Sequence, residues 1–254
     1  MKSILGYSLL GLLAFLLSLL LLAPATVVTH LLSARLSGFG AQVVEGLATN
    51  GMVRGVYWRD IQIERLAWRW QPLALLTGGL AFGLDADDPQ LKLVTSAAIG
   101  LDRRIHFREM NGRLPLSKIS ALARQPKLPL QGLVEFSLRD LYLNTAGLPL
   151  MAEGVVHLRN LRVTLGQALN LGDFTVRLTP NQPEGIQGVI KDDGGPLALD
   201  GILHLAPDGR YRFNGQAAIR DISSNQPLRQ AMNLLGSPGS DGRWILSLSG
   251  ILAR

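Results

Sequence analysis

The sequence predicts a mainly β protein, in which a single N-terminal transmembrane helix precedes a curled, bulged antiparallel β-sheet body with one or two short helices. Two observations lead to this fold class. An apolar run from Ile4 to Val28 contains no charged residue and follows Lys2. Beyond it, apolar and polar residues alternate in segments separated by turn residues, which is typical of half-buried strands. We therefore predict a membrane anchor at residues 1–28 and a β-rich domain at residues 29–254.

The N-terminal run has the length of one membrane span. At about 1.5 Å per residue, Ile4 to Leu22 alone roughly matches the ~30 Å hydrocarbon core of a bilayer. Lys2 is the only charge before the run, which favours a cytoplasmic N-terminus and an extracytoplasmic body. Ala23-Pro24-Ala25 also has the small-x-small form of a cleavage site, so a cleaved signal peptide is the alternative to a retained anchor.

Composition argues against several classes of chemistry. The chain has 254 residues, of which 47% are hydrophobic, so it is long and apolar enough to fold around a core. It contains no cysteine, which excludes thiol catalysis and thiolate metal sites. The four histidines are far apart in the sequence, and Asp85, Asp87 and Asp88 lack the glycine and closing glutamate of a calcium loop. We predict no catalytic, metal or cofactor site, and interpret these aspartates as a polar loop.

The net charge of +6 comes mainly from the middle of the chain, because residues 101–180 contain 11 Lys and Arg against 6 Asp and Glu. The densest basic residues are Arg103, Arg104, Arg108, Arg113, Lys118, Arg124 and Lys127. They predict a basic face for anionic lipid headgroups or an acidic partner, with a solvated surface as the simpler alternative. Nucleic acid is disfavoured as a partner, since the body is expected to be exported and has no lysine-rich arm or zinc-finger spacing.

Turn and cap residues place several elements. Pro207-Asp208-Gly209 predicts a hairpin turn, because proline fixes φ and glycine accepts φ > 0, and Asp192 to Gly195 predicts another. Asn225 to Leu235 has proline in its first turn and apolar residues at helical spacing, which predicts a helix. Weaker helical patterns occur at Ser117 to Arg124 and directly after the anchor, from Val27 to Leu36.

A short tetrad of an apolar residue, Arg, Asp or Asn, and an apolar residue occurs four times, at Trp58 to Ile61, Leu138 to Leu141, Leu158 to Leu161 and Ile219 to Ile222. At each one the apolar positions change parity, which requires either a β-bulge or a tight two-residue turn. Tight turns usually contain glycine, which is absent here, so we favour bulges. Repeated bulges would curl the sheet, and both a closed barrel-like core and an open groove fit this pattern.

Tryptophan residues form the main candidate cluster. Leu66, Trp68 and Trp70 share one strand face, and Trp58 joins them if a bulge intervenes. A cluster of this kind is most often core, and less often an interface or a belt close to a membrane.

Both ends of the chain resemble the type II secretion system protein N family. The N-terminal resemblance lies in the anchor ending in Ala23-Pro24-Ala25, then Gly51-Met52-Val53-Arg54-Gly55, Leu66-Ala67-Trp68 and Pro72 to Leu80. The C-terminal resemblance lies in Leu205 to Tyr211, Leu228 to Gly236 and Asp241 to Gly250, which match the family's closing hairpin, helix and last strand.

The resemblance implies a single-pass inner-membrane protein with its N-terminus in the cytoplasm and most of the chain in the periplasm. Such a protein is an accessory part of the machine that exports folded proteins across the outer membrane of Gram-negative bacteria. No enzymatic activity or cofactor is implied. The expected partners are other secretion components, between the inner-membrane platform and the outer-membrane channel, and the expected role is a scaffold or coupling protein.

A second function class remains open. A curled sheet with an apolar inner face on one anchor also resembles the groove-forming lipid-transfer proteins of the AsmA family, and Ile61 to Leu80 is similar to their start. Lipid would then be the ligand of the apolar face. A scaffold closes this face with its own side chains, whereas a lipid carrier leaves it open to acyl chains. A periplasmic enzyme is the least favoured class.

Overall fold

The computed structural model describes residues 7, 11, 15, 18, 19, 21–35, 38–58, 61–118, 130–181, 185–234 and 236–252, with the backbone alone at 58, 61, 77 and 165. Nearly half of the apolar run from Ile4 to Val28, 12 of its 25 residues, lies outside these residues. Among the described residues, no helix is both long and apolar enough to cross a bilayer. The first continuous helix, α1, spans Ala25–Arg35, where helix was expected, and Gly38 follows with a positive φ.

The described body is mainly β, as predicted. Its strands are β1 (Phe39–Gly40), β2 (Val43–Gly46), β3 (Asn50–Trp58), β4 (Ile61–Gln71), β5 (Leu80–Asp88), β6 (Leu91–Ile99), β7 (Ile105–Pro115), β8 (Leu130–Leu143), β9 (Pro149–Leu165), β10 (Gln167–Asn181), β11 (Gly185–Asp192), β12 (Leu197–Leu205), β13 (Arg210–Ile219) and β14 (Trp244–Ile251). A 3-10 helix, Pro72–Thr77, connects β4 to β5, and helix α2, Gln226–Asn233, lies between β13 and β14.

These strands form one antiparallel sheet. From β3 to β14 each strand pairs with the next one in the chain, and both β1 and β2 pair with β3. In the part of the chain that the structure describes, β14 pairs only with β13, so the sheet does not close on itself. Of the two arrangements that the sequence left open, the closed barrel-like core is not adopted by the described strands.

One face of this sheet is apolar across its whole width. A single row of register partners runs from β3 to β14 without a polar or charged residue. Its members are Val53, Leu66, Ala86, Leu93, Gly112, Phe136, Val156, Val176, Ile190, Gly201, Gly215 and Leu246. We call this side the apolar face.

The neighbouring row points to the opposite side and is almost entirely polar. It contains Arg54, Arg65, Asp87, Lys92, Arg113, Glu135, His157, Thr175, Lys191, Asp200 and Gln216, and it ends on β14 at Ile245. We call this side the polar face. The contrast between adjacent rows is the alternation that predicted half-buried strands.

The apolar face is covered near both edges of the sheet. Near the N-terminal edge, Ala25, Val53, Val56 and Trp68 are buried together as the N-terminal core. Near the other edge, Leu228 and Met232 of α2 pack against the sheet as part of the C-terminal core. Its sheet members are Phe174, Leu197, Ala217, Ile219 and Trp244. Between these two cores, Leu93, Phe107 and Phe136 are only half-buried.

The two ends of the strands differ. The N-terminal run meets the sheet at the β2–β3 turn, where the Ala48 N–H donates to the Ala23 carbonyl oxygen at 2.8 Å. We call this the junction end. The 3-10 helix and the β6–β7 turn also lie there, because Leu80 at the start of β5 pairs with Ile99 at the end of β6. Helix α2 lies at the opposite, distal end.

The favoured bulges are confirmed at two tetrads and wrong at the other two. β8 runs through Leu138 to Leu141 with a register shift against β9, and β9 runs through Leu158 to Leu161 with shifts against both its neighbours. The first tetrad instead joins two strands, since Trp58 ends β3 and pairs with Ile61 of β4. At the fourth, β13 ends at Ile219. A change of parity in the sequence shows only that the side chains change direction. Such a change occurs at a bulge within a strand, but also where one strand ends.

Most predicted turns and helices are in place. Gly209 has a φ of 87° between β12 and β13, and the Asp192 to Gly195 turn separates β11 from β12. Helix α2 lies within the predicted range, and Leu116 to Lys118 have helical backbone at the start of the weaker one, whose remainder lies outside the described residues. The predicted polar loop at Asp85 to Asp88 is wrong, because these residues belong to β5.

Candidate interaction site

The structure brings Leu66, Trp68 and Trp70 to the apolar face of β4, where their register partners are Ala86, Leu84 and Phe82. Trp68 is buried in the N-terminal core, and its indole N–H donates to the Ala48 carbonyl oxygen at 2.9 Å. Trp70 is half-buried. Its Nε1 is buried, and it has no hydrogen-bond partner among the described residues. The backbone of Trp58 pairs with Ile61 and with Phe39, while its side chain lies outside the described part of the structure.

Five of the seven basic candidates lie among the described residues, spread along β7 and both of its flanks. Arg103 and Arg104 occupy the β6–β7 turn at the junction end, and Arg104 pairs with Asp102 at 3.4 Å. Arg108 and Arg113 are exposed on β7, where their β8 register partners are the acidic Asp140 and Glu135. Lys118 follows β7 at the distal end, where its Nζ lies 3.7 Å from Asp88 Oδ1. The structure therefore brings only Arg103 and Arg104 together, and Arg124 and Lys127 lie outside the described residues.

The arginines of three tetrads share one contact. Arg139 pairs with Glu153 at 2.7 Å, Arg159 pairs with Asp173 at 3.3 Å, and Arg220 pairs with Asp192. Arg139 and Arg159 pair with an acid on the next strand, and Arg220, which directly follows β13, pairs with the last residue of β11. These three tetrads therefore share an ion pair to another strand, although the backbone geometry differs between them.

Asp192 is the best-bonded of these acids. Its side chain is only 9% exposed, and it accepts hydrogen bonds from Arg220 and from the backbone N–H groups of Gly194 and Leu199. Burial alone would raise the pKa of Asp192, but these hydrogen bonds outweigh it and hold the pKa below its usual value. This carboxylate fastens the β11–β12 turn to the end of β13, which is a structural role.

The described residues hold no group of three or more His, Asp or Glu side chains placed to bind a metal ion. On β7 and β8, His106 Nε2 and Asp140 Oδ1 lie 2.6 Å apart. The His106 ring also stacks on Tyr142 at a centroid distance of 3.9 Å. These contacts join neighbouring strands.

The free edge at β14 is the most distinctive surface of the body. The Leu252 N–H donates to the Gly209 carbonyl oxygen at 2.8 Å, and these two residues continue the β13–β14 register. In an antiparallel ladder, hydrogen-bonded and non-bonded pairs alternate. It follows that Ile245, Ser247, Ser249 and Ile251 point their backbone N–H and C=O groups away from β13, towards the open side.

Apolar side chains accompany these free backbone groups. Ile245, 83% exposed, ends the otherwise polar row of the polar face, and Ile251 is exposed on the same side. Leu248 is exposed on the apolar face. An edge strand that is apolar on both sides is a ready template for another strand, which is why folded proteins usually protect such edges.

Sequence reasoning did not single out this strand. The signal was present in its loose alternation, because Trp244 to Ile251 carries apolar residues at both parities. A strand with one face on a core and the other in water needs apolar residues at only one parity.

A scan against protein-family models matches residues 37–247 to the type II secretion system (T2SS), protein N. The chain belongs to this family. The match confirms the resemblance seen in the sequence and covers β1 to β13, α2 and the first half of β14. As a member of the protein N family, the chain is a component of the type II secretion system and so is associated with the cell envelope. Searches of curated proteins and of solved structures gave no match.

Proposed function

We propose that this protein N is a non-enzymatic scaffold of the type II secretion machinery, which binds another component by adding a partner strand to β14. In this proposal, the part of the run before Ala23 anchors the chain in the inner membrane and the sheet lies in the periplasm; Ala23 and Ala25 already contact the sheet. The partner is a protein of the same machinery, between the inner-membrane platform and the outer-membrane channel.

The observation that carries the proposal is the exposed Ile245 at the free end of a polar row. Strand addition supplies affinity through backbone hydrogen bonds and specificity through alternate side chains. β14 offers outward N–H and C=O groups at four positions, and the exposed Ile245 and Ile251 project beside them. A partner strand would cover both features at once.

The test uses a residue whose backbone faces outward. Ser249→Pro removes an outward N–H, while the hydrogen bonds of Gly250 and Leu248 to β13 are kept, and proline is tolerated on edge strands. Ser249→Ala is the matched control, because it loses the hydroxyl but keeps the N–H. Both variants are produced as full chains in secretion-competent cells that lack the native copy.

We expect Ser249→Pro to abolish secretion of the exported protein and co-purification of other secretion components, with an unchanged unfolding temperature. Ser249→Ala should behave as the native chain. Normal secretion and co-purification by the proline variant would contradict strand addition at β14. If the proline variant unfolds at a lower temperature, Ile245→Lys takes its place, since it blocks the edge with a charge and leaves every backbone bond intact.

The lipid-binding alternative rests on the open apolar face alone, because the family match gives no support to a lipid-binding function. The half-buried Leu93, Phe107 and Phe136 between the two cores are the residues that an acyl chain would cover. Native mass spectrometry of the full chain, released from mild detergent, separates the two functions. Near-stoichiometric phospholipid favours the carrier, and a lipid-free body favours the scaffold.

A further inference from the structure

Exposed leucines are concentrated at the junction end of the sheet. Leu76 of the 3-10 helix is 85% exposed and Leu101 of the β6–β7 turn is 90% exposed, and Leu73 and Leu75 are also exposed. The two segments are neighbours, since a Cβ built on Gly78, just after the 3-10 helix, would lie 3.3 Å from Leu101 Cδ1. Exposed apolar residues scattered singly need no explanation, but a contiguous group marks an interaction surface.

Hydrogen bonds join this leucine group to the N-terminal run. The backbone N–H of Ala48, in the β2–β3 turn, donates to the Ala23 carbonyl oxygen. The carbonyl oxygen of the next residue, Thr49, accepts a 2.6 Å hydrogen bond from the backbone N–H of Trp70, two residues before the 3-10 helix. Within the run, Phe15, Leu19 and Leu22 are themselves exposed. The leucine group therefore lies at the end of the sheet where the most apolar segment of the chain arrives.

The charges around the group suit a membrane surface. Among residues 47–50, 72–79 and 100–104, the only acid is Asp102, and Arg104 pairs with it. Arg103 is exposed, adopts a positive φ of 59° and has no ion pair among the described residues. Leucines beside an uncompensated arginine are the composition of segments that lie in the headgroup region of anionic bilayers.

We propose that the junction end of the sheet docks on the membrane surface, with the 3-10 helix and the β6–β7 turn inserted into the headgroup region beside the anchor. Leu73, Leu76 and Leu101 enter the interface and Arg103 binds lipid phosphate. The protein then contacts the bilayer at two places, the anchor and the junction end of the sheet, instead of at the anchor alone. The inference rests on membrane insertion of the run before Ala23, but not on strand addition at β14.

The absence of cysteine makes a direct test available. Single cysteines placed by Leu76→Cys and Leu101→Cys in the full chain carry an environment-sensitive fluorophore. The chains are reconstituted into vesicles of neutral phospholipid with about one third anionic phosphatidylglycerol. Quenching by iodide reports exposure to water, and quenching by nitroxide lipids reports insertion. Leu234→Cys is the matched control, because Leu234 is as exposed as Leu76 but follows α2 at the distal end. Phe15→Cys tests the anchor.

We expect the labels at 76 and 101 to be quenched by nitroxide lipids and to be roughly tenfold less accessible to iodide than the label at 234. The reason is that a leucine-sized group partitions out of water by a factor of about ten or more, so an inserted label spends only about a tenth of its time in water. The label at 15 should be quenched by nitroxide lipids alone. If the label at 15 is inserted while the labels at 76 and 101 are quenched by iodide and by nitroxide lipids to the same extent as the label at 234, the docking is refuted and the membrane anchor is supported. A protein partner that covers these leucines would give this same result in vesicles of lipid alone. A label at 15 that iodide reaches would refute the anchor, and the docking with it.

Discussion

Trp68→Ala tests whether the N-terminal core holds the junction end together. The Trp68 side chain is 9% exposed and its N–H is hydrogen-bonded to Ala48, the residue that also binds Ala23. Burying a tryptophan removes roughly 200 Å² from water. At ~25 cal/mol/Å² this is worth about 5 kcal/mol, an upper estimate because the unfolded chain already buries part of this area.

We therefore expect Trp68→Ala to lower the free energy of unfolding by about 3 to 5 kcal/mol, in line with other large-to-small core substitutions. Trp68→Phe keeps most of the ring but loses the hydrogen bond, so it should cost roughly 1 to 2 kcal/mol. The assay is urea unfolding of the full chain in detergent. Hydrogen exchange read by mass spectrometry then locates the loss.

Exchange should rise in β2 to β5 and stay unchanged around α2, because the two cores share no residue. A loss below about 1 kcal/mol for Trp68→Ala would show that Trp68 is not a core residue. Equal exchange along the whole sheet would show that the two cores unfold as one unit. Full stability combined with lost binding of a secretion component would place Trp68 in an interface.

Two further predictions concern the sheet itself. Gly154 has a φ of 149° opposite the β8 bulge, and a Cβ there would lie 2.3 Å from the Ser137 carbonyl oxygen. Gly154→Ala should therefore lower the free energy of unfolding by about 1 to 3 kcal/mol in urea titrations. An unchanged free energy of unfolding would contradict this close approach. Asp192→Asn should cost roughly 1 to 2 kcal/mol at pH 7. Because the folded-state pKa of Asp192 is lowered, its stabilisation is present above the usual pKa of 3.8 and is lost as pH falls through the folded value. Thermal unfolding curves of the two chains should therefore converge below pH 3.8, and a constant difference down to acid would contradict this linkage.

Local patterns in the sequence were enough to predict strands, turns and α2. Pro207-Asp208-Gly209 determines a turn within a few residues, and Pro227, Leu228 and Met232 define a helix with one buried side. The tetrads show where such reasoning ends. All four carry the same parity change, but whether the strand continues depends on the neighbouring strand, as the register shift of β8 against β9 shows.

The free edge was harder to predict for the same reason. Whether Ile245 faces a partner or water depends on strand order, and strand order arises from pairings between residues that short patterns do not connect. The Arg103 and Arg104 pair illustrates a second difficulty. Seven basic residues close in sequence were expected to form one basic face, but an extended strand rises about 3.3 Å per residue. β7 therefore separates this pair from Lys118 by its whole length.

The order of pairing also has a consequence for how the chain folds. From β3 onward every strand pairs with the strand that precedes it, so most loops to be closed are short and most contacts are local in sequence. The exceptions are residues 116–129 between β7 and β8 and residues 220–243 between β13 and β14. Chains of this kind fold by growth from neighbour to neighbour, as repeat proteins do. The sheet can then extend one hairpin at a time over most of its width. Among the described strands, this order of pairing leaves a free edge at β14, which a partner strand would extend under the proposed strand addition.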